Sequence, residues 1–256
     1  MTQPTRRTVL FGLGATALVA SCSSTDSPTA NPSTTTTASA AGTSTTTTAT
    51  SSTEAALFTS ADFDGVGTCT TLPRSTAGPF GLAEQFVRRD ITEDYPGHPL
   101  RLGLRVTNAN CDPLSDAEVE IWHADATGDY SAFNDGGTGK DEGRGTTFLR
   151  GTQITDGDGI AAFETIVPGW YPGRAVHIHI TIRAADGTER TGQLFFDEAF
   201  LAAVFAEPDY VANGTADTAN AADFAAAGLS PDMLVQTVDG DTARGAGTVG
   251  LLNVAL

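Results

Sequence analysis

The sequence predicts an all-β fold, a β-sandwich of two mainly antiparallel sheets with long loops and short helical pieces. Three observations predict it. Apolar and polar residues alternate at period two in several short runs. Turn-forming Gly, Pro, Asn and Asp separate those runs. The one Ala-rich stretch, 198–228, is broken by Pro208 and Gly214, so it reads as a long loop with short helical pieces.

The strands follow in order. Leu100, Leu102, Leu104 and Val106 alternate with Arg101, Gly103 and Arg105, a half-buried strand. Ala117, Val119 and Ile121 alternate with Glu118, Glu120 and Trp122. Thr155-Asp156-Gly157-Asp158-Gly159 is a turn between the runs 148–154 and 160–167, which are expected to pair as a hairpin. Val176, Ile178, Ile180 and Ile182 alternate with His177, His179, Thr181 and Arg183. Residues 192–196 and 233–238 read as further strands, and 247–255 as a last one. No internal repeat is visible.

Composition narrows the function. The 256 residues carry 14 Lys+Arg against 31 Asp+Glu, a formal charge of −17. That balance argues against binding nucleic acid or anionic headgroups. A single short apolar run, 8–20, excludes a polytopic membrane protein. Three cysteines exclude a disulfide-dense scaffold and a four-thiolate zinc site.

The chain divides into three parts. Residues 1–21 read as an export signal, with Arg6 and Arg7 before the apolar run suggesting the twin-arginine route. Val19-Ala20-Ser21-Cys22 is similar to the bacterial lipobox, in which Cys22 is lipidated and becomes the new N-terminus. An ordinary signal peptide with an incidental Cys, or a short anchor, is the alternative. Residues 22–56 are a tether: Ser and Thr fill 21 of the 31 positions 23–53, too little apolar surface to order the segment. Residues 57–256 form the folded domain. The expected location is the outer face of a bacterial cell membrane, through the Cys22 lipid, or outside the cell. Cys69 and Cys111 are the domain's only cysteines. In an oxidising compartment they are expected to pair, the alternative being two buried thiols.

The chemistry centres on a His-x-His. His177 and His179 are i and i+2 in a strand, so both rings leave one face. Alone this is weak: it suits the polar side of an exposed strand, or zinc if a metal is bound. The turn Pro168-Gly169-Trp170-Tyr171-Pro172-Gly173-Arg174 just before it brings Tyr171 and Arg174 near the histidines. No acid or Cys lies between Tyr171 and His179 to complete a usual zinc set. A phenolate is a hard anionic donor suited to a trivalent ion. Two phenolates and two imidazoles would neutralise much of the charge on Fe(III) and leave a position open.

A second tyrosine, Tyr130, lies in Ile121-Trp122-His123-Ala124-Asp125-Ala126-Thr127-Gly128-Asp129-Tyr130-Ser131. Here the sequence resembles the intradiol ring-cleavage dioxygenases, which include protocatechuate 3,4-dioxygenase and catechol 1,2-dioxygenase. The blocks that carry the resemblance run in order through 75–196. They are Ser75-Thr76-Ala77-Gly78-Pro79-Phe80, the Tyr130 block, and Arg150-Gly151-Thr152 with the 155–159 turn. Thr165-Ile166-Val167-Pro168-Gly169-Trp170-Tyr171, Arg174 with His177-Ile178-His179, and Gln193-Leu194-Phe195-Phe196 follow. The leader, the tether and the cysteine pair look like an exported lipoprotein branch.

The resemblance implies non-haem Fe(III) held by Tyr130, Tyr171, His177 and His179. It implies that Tyr171 leaves the metal when a catechol binds, with Arg174 and Gln193 beside the substrate. The implied reaction opens a catechol-type ring between its hydroxylated carbons with O2, giving a muconate-type diacid. The partners implied are that small molecule and O2, with no nucleic acid and membrane contact only through Cys22. A non-catalytic module binding iron or a catecholate is the alternative. Trp122 is read as core, and His98, His123, Asp125 and Asp129 as structural or turn residues. Three departures stand out: Phe80 where many relatives have Tyr, a short Tyr171–His177 stretch, and no helical N-terminal dimerisation segment.

Overall fold

The computed structural model describes residues 56–133, 143–239 and 247–256. Arg6, Arg7, Cys22 and nearly all of the tether lie outside the described residues. Nine strands and two short helices follow one another: β1 Thr70–Thr71, β2 Pro99–Thr107, β3 Glu118–Trp122, β4 Arg150–Ile154, β5 Ile160–Ile166, β6 His177–Arg183, β7 Glu189–Phe196, α1 Glu198–Val204, α2 Pro208–Val211, β8 Leu234–Asp239 and β9 Thr248–Ala255. The mostly-β expectation is met, and the 198–228 stretch holds only α1, α2 and a 3-10 turn at Asn220–Ala222.

The strands pair along one continuous path, β4-β3-β6-β7-β8-β9-β2-β5, with β1 on β9. The expected split into two separate sheets is therefore not how the ladder runs. Most pairs are antiparallel, but β2–β9, β7–β8 and β1–β9 are parallel. The two ends of the path nearly meet through residues 86–91. Val87 bridges to Thr152 of β4 and Asp90 to Glu164 of β5, so the sheet curls almost into a barrel.

This closure corrects the expected hairpin. Strands β4 and β5 are joined by a tight turn, Gly159 N donating to the Asp156 carbonyl, yet they do not pair. β4 pairs with β3, and β5 with β2. Residues 86–91 occupy both inward-facing edges: Arg88 N bonds Thr152 O, Thr152 N bonds Phe86 O, and Ile91 N bonds Glu164 O. A short turn specifies proximity of two ends, but any segment can take the edges they leave open.

The core follows the alternation. Leu100, Leu102, Leu104, Val119, Ile121, Phe163, Ile178, Ile180 and Ile182 are wholly buried in one cluster. The other face of β2 is covered too. Gly103 lies against Leu251 and Phe58, within a second cluster formed by Phe58, Phe63, Ile160, Val249 and Leu251. The expected half-buried strand is thus buried on both faces, because residues 57–66 fold back over it. Cys69 and Cys111 are joined in a disulfide, their Cα atoms 5.8 Å apart, tying the arm before β1 to the turn after β2.

Candidate metal centre

Register assembles the site. Residues directly opposite in neighbouring strands share a face. Arg150 of β4 faces Trp122 of β3, Trp122 faces His179 of β6, and His179 faces Gln193 of β7. One row across four strands thus carries a cation, an indole, an imidazole and an amide. His177, two residues before His179, projects from the same face. Both histidines are buried, so the exposed-strand reading of this face does not apply.

The rings are fixed. Trp122 stacks on His179, centroids 4.9 Å apart and planes within 3°. His177 donates its Nδ1–H to the Ala175 carbonyl at 2.6 Å, which leaves the Nε2 lone pair facing inward. The Nε2 atoms of His177 and His179 lie 3.2 Å apart. Gly78, at φ +66°, lets the 75–80 segment pass close over His179; a Cβ there would sit 3.3 Å from Cε1.

Two loops deliver the tyrosines. Asp125 shapes the first, its carboxylate accepting from Thr127 N at 2.8 Å, Asp129 N at 3.0 Å and the Thr127 hydroxyl at 2.9 Å. This is a self-capped turn, as read from the sequence. It presents Tyr130, which is 1% exposed and stacked on Phe80 at 4.3 Å. The second loop is the Pro168–Arg174 turn. Gly169 N bonds the Asp125 carbonyl, so the two tyrosine loops brace each other. Asn213 donates to the carbonyls of both, at Thr127 and Trp170. The Tyr171 hydroxyl donates to His177 Nε2 at 3.2 Å, and the two tyrosine rings are 5.7 Å apart.

Burial sets the ionisation. It holds His177 down at about 4, helped by the nearby Arg174 charge, and holds His179 well below the usual imidazole range. Burial also pushes the phenols of Tyr130 and Tyr171 up, with Tyr171 opposing ionisation of Tyr130 as well. Both imidazoles are therefore neutral, as metal ligands must be. A bound cation would reverse the logic for the phenols.

The donors fit a metal. Tyr130 Oη is buried with no hydrogen-bond partner at ordinary geometry. It points into a space shared with two imidazole nitrogens whose separation lets one ion at about 2.1 Å bind both. Among the described residues no group of three His, Cys, Asp or Glu is placed to hold an ion, so a site here draws on phenols. A separate cleft of about 210 Å³, lined by Val176, Leu201, Phe205 and Thr218 among others, includes none of the four donors.

Arg174 and Gln193 meet, Nη2 donating to the Gln193 amide oxygen at 2.5 Å. Sequence reasoning missed their anchor, Asp223. Its fully buried carboxylate accepts from Arg174 Nε at 2.8 Å, Ala175 N at 2.9 Å and Ala225 N at 2.8 Å. Burial works to raise this carboxyl, but those bonds win and hold it below the usual range. Nothing local marks it: an Asp in an Ala-rich loop 49 residues from Arg174 carries no signal. Arg150 was visible only as part of a block. It is 4% exposed and bonds Ser131 and the Phe80 carbonyl. His123 is structural, bonded to the Ala124 carbonyl and the Thr165 hydroxyl, and His98 joins Glu207 to Thr248. Trp122 is core, as expected, and also the platform under His179.

Comparison with known proteins agrees with this architecture. A family model described as Dioxygenase matches residues 80–225. Catechol 1,2-dioxygenase of Acinetobacter baylyi is 34% identical over 116 residues, covering 43% of this chain and 36% of that protein. The intradiol ring-cleavage dioxygenase structure from Tetranychus urticae superposes with a TM-score of 0.65 at 33% identity, over 73% of this chain and 94% of that one. The dioxygenase domain of a carbohydrate-binding fusion from a cellulolytic Streptomyces superposes at 0.54 with 27% identity, over 73% and 98%. The chain belongs to the intradiol ring-cleavage dioxygenase family. It spans about a third of the length of the curated relatives it matches first.

Proposed function

We propose that this chain is a non-haem Fe(III) dioxygenase that opens a catechol-type ring between its two hydroxylated carbons. One O2 adds across that bond and both atoms stay in the muconate-type diacid. The observation that carries the reading is the meeting of four donors. Tyr171 Oη and His179 Nε2 each lie 3.2 Å from His177 Nε2, beside the buried Tyr130 hydroxyl, whose polar neighbour is Tyr171. The relatives named as catechol 1,2-dioxygenases support the same chemistry.

Tyr130, Tyr171, His177 and His179 would hold the iron, which would supply a Lewis-acidic centre for both catechol oxygens and activate the ring toward O2. The chain's own residues do the rest. Tyr130 is clamped by its stack on Phe80 and stays in place. Tyr171 is less buried than Tyr130, and its hydroxyl reaches His177 Nε2. With iron held there, Tyr171 Oη would be the chain's own group to take a proton from an incoming catechol hydroxyl. Arg174 lies 3.5 Å from His177 Nε2 and stabilises negative charge that develops on the ring, while Asp223 and Gln193 fix its fork. Trp122 and Phe80 supply apolar walls that limit water. The reading includes export through the Arg6–Arg7 leader and tethering at Cys22. No helix among the described residues is long and apolar enough to cross a membrane.

The test is a visible spectrum of the purified, iron-loaded chain before and after catechol or hydroxyquinol in air. A broad tyrosinate-to-Fe(III) band that shifts with substrate, followed by a rising ultraviolet muconate band, is expected. A shifted band with no ring-opened product would turn the assignment toward catecholate binding. A colourless protein after reconstitution would end it.

A further inference from the structure

We infer that Arg150 is the built-in counter-cation of Tyr130, a buried positive charge set to face that tyrosine when it binds metal as phenolate. The inference rests on the iron reading above and deepens it.

Arg150 is buried and bonds neutral partners. Its Nε donates to the Ser131 hydroxyl at 2.7 Å, Nη2 to the Ser131 carbonyl at 2.9 Å and Nη1 to the Phe80 carbonyl at 2.7 Å. All three acceptors are neutral. Three other arginines carry carboxylates instead: Arg174 has Asp223, Arg183 has Glu118 and Glu120, and Arg88 has Glu93. Among the described residues no carboxylate oxygen comes within 4 Å of Arg150. Glu120 is the acid whose charge it feels, and Arg183 engages that one. A guanidinium buried without an anion is costly, and burial draws Arg150 down to about 10.

Tyr130 is the complementary case, a buried hydroxyl with no ordinary partner. The two are coupled by construction. The carbonyls that Arg150 holds belong to Ser131, next to Tyr130, and to Phe80, stacked on it. Arg174 acts on Tyr130 more strongly than Arg150 does, but it is already paired with Asp223. Metal binding would remove the phenolic proton and complete both deficits together. Arg150 is thus a positioning residue that acts on the metal through Tyr130.

Two variants separate charge from geometry. Arg150→Gln keeps hydrogen-bond donors near Phe80 and Ser131 but drops the charge. Arg150→Lys keeps the charge and loses the fork. Each is loaded with Fe(III) and read by the energy of the tyrosinate band and by competition with a chelator. In Arg150→Gln the phenolate donor level rises, so the band moves to longer wavelength. Its Fe(III) affinity falls about 10–100-fold, the range typical of lost support to a ligand. Arg150→Lys stays near wild type in both. Repeating Arg150→Gln in a Tyr130→Phe background abolishes the affinity effect, because the anion is gone. An unchanged band in Arg150→Gln, or an equal affinity loss in both backgrounds, overturns the inference while leaving the iron reading intact. A wild-type chain that takes up no Fe(III) overturns the reading on which it rests.

Discussion

Trp122 and His179 are direct cross-strand partners whose rings stack 4.9 Å apart at 3°. The indole therefore fixes the plane of an imidazole whose Nε2 must meet that of His177. An aromatic residue that looks like core from its burial is also what aims a ligand.

The Trp122→Leu variant leaves space beneath that ring. Stability should fall by about 2–4 kcal/mol from the lost packing, and Trp122→Phe should recover much of it. The diagnostic is iron release to a chelator at a temperature where both variants are folded. Release should be faster in Trp122→Leu and nearly unchanged in Trp122→Phe.

Removing Tyr130 and removing Arg174 should separate binding from chemistry. Tyr130→Phe should abolish most of the visible band and lower iron content. Arg174→Ala should keep band and iron while kcat drops about 100–1000-fold, as for loss of a charge-stabilising donor. Turnover retained by both variants would sink the assigned roles.

Asp223 should matter through Arg174. Asp223→Asn keeps a side-chain oxygen to accept from the backbone N–H groups and drops the charge, so the guanidinium loses its orientation but not its place. A fall in kcat of about tenfold with little change in band or iron content is expected, whereas Asp223→Ala should cost about 3–5 kcal/mol in stability. Steady-state kinetics beside thermal melts distinguishes the two effects.

Acid should destabilise the iron-free protein earlier than its carboxylates require. Burial holds His123 down at about 4, against an ordinary value near 6.5. Between those values the unfolded chain binds a proton that the folded chain does not, so stability rises with pH. The contribution is full above about 6.5 and is lost as pH falls toward 4, on the order of 3 kcal/mol for this residue. Melting the iron-free protein from pH 7 to 4 should show the decline, and His123→Gln should make it shallower, the rest coming from His177 and His179. Equal slopes in both proteins would remove His123 as the cause.

The Cys69–Cys111 bridge closes a separation of 42 residues. Loop-closure entropy puts its stabilisation at about 4 kcal/mol. Replacing both cysteines by Ser should lower the melting temperature by on the order of 10 °C for a domain of this size. The visible band should survive, because Leu72 N to the Ala255 carbonyl and Ser75 N to the Thr191 carbonyl still hold the arm.

The sequence by itself determined which side chains share a face. Period two in 176–183 sent His177 and His179 to one side and Ile178 and Ile180 to the core, a local property of strands that needs no partner. Turn chemistry did the same for Asp125 and its loop. Tertiary structure alone decided the pairing. Residues 86–91 took the edges that would have made β4 and β5 a hairpin, and register put Arg150, Trp122, His179 and Gln193 in one row. It also brought Asp223 from a helical loop to Arg174. Such contacts join residues tens of positions apart, and the edges and charges that select them are satisfied only once the whole sheet has curled.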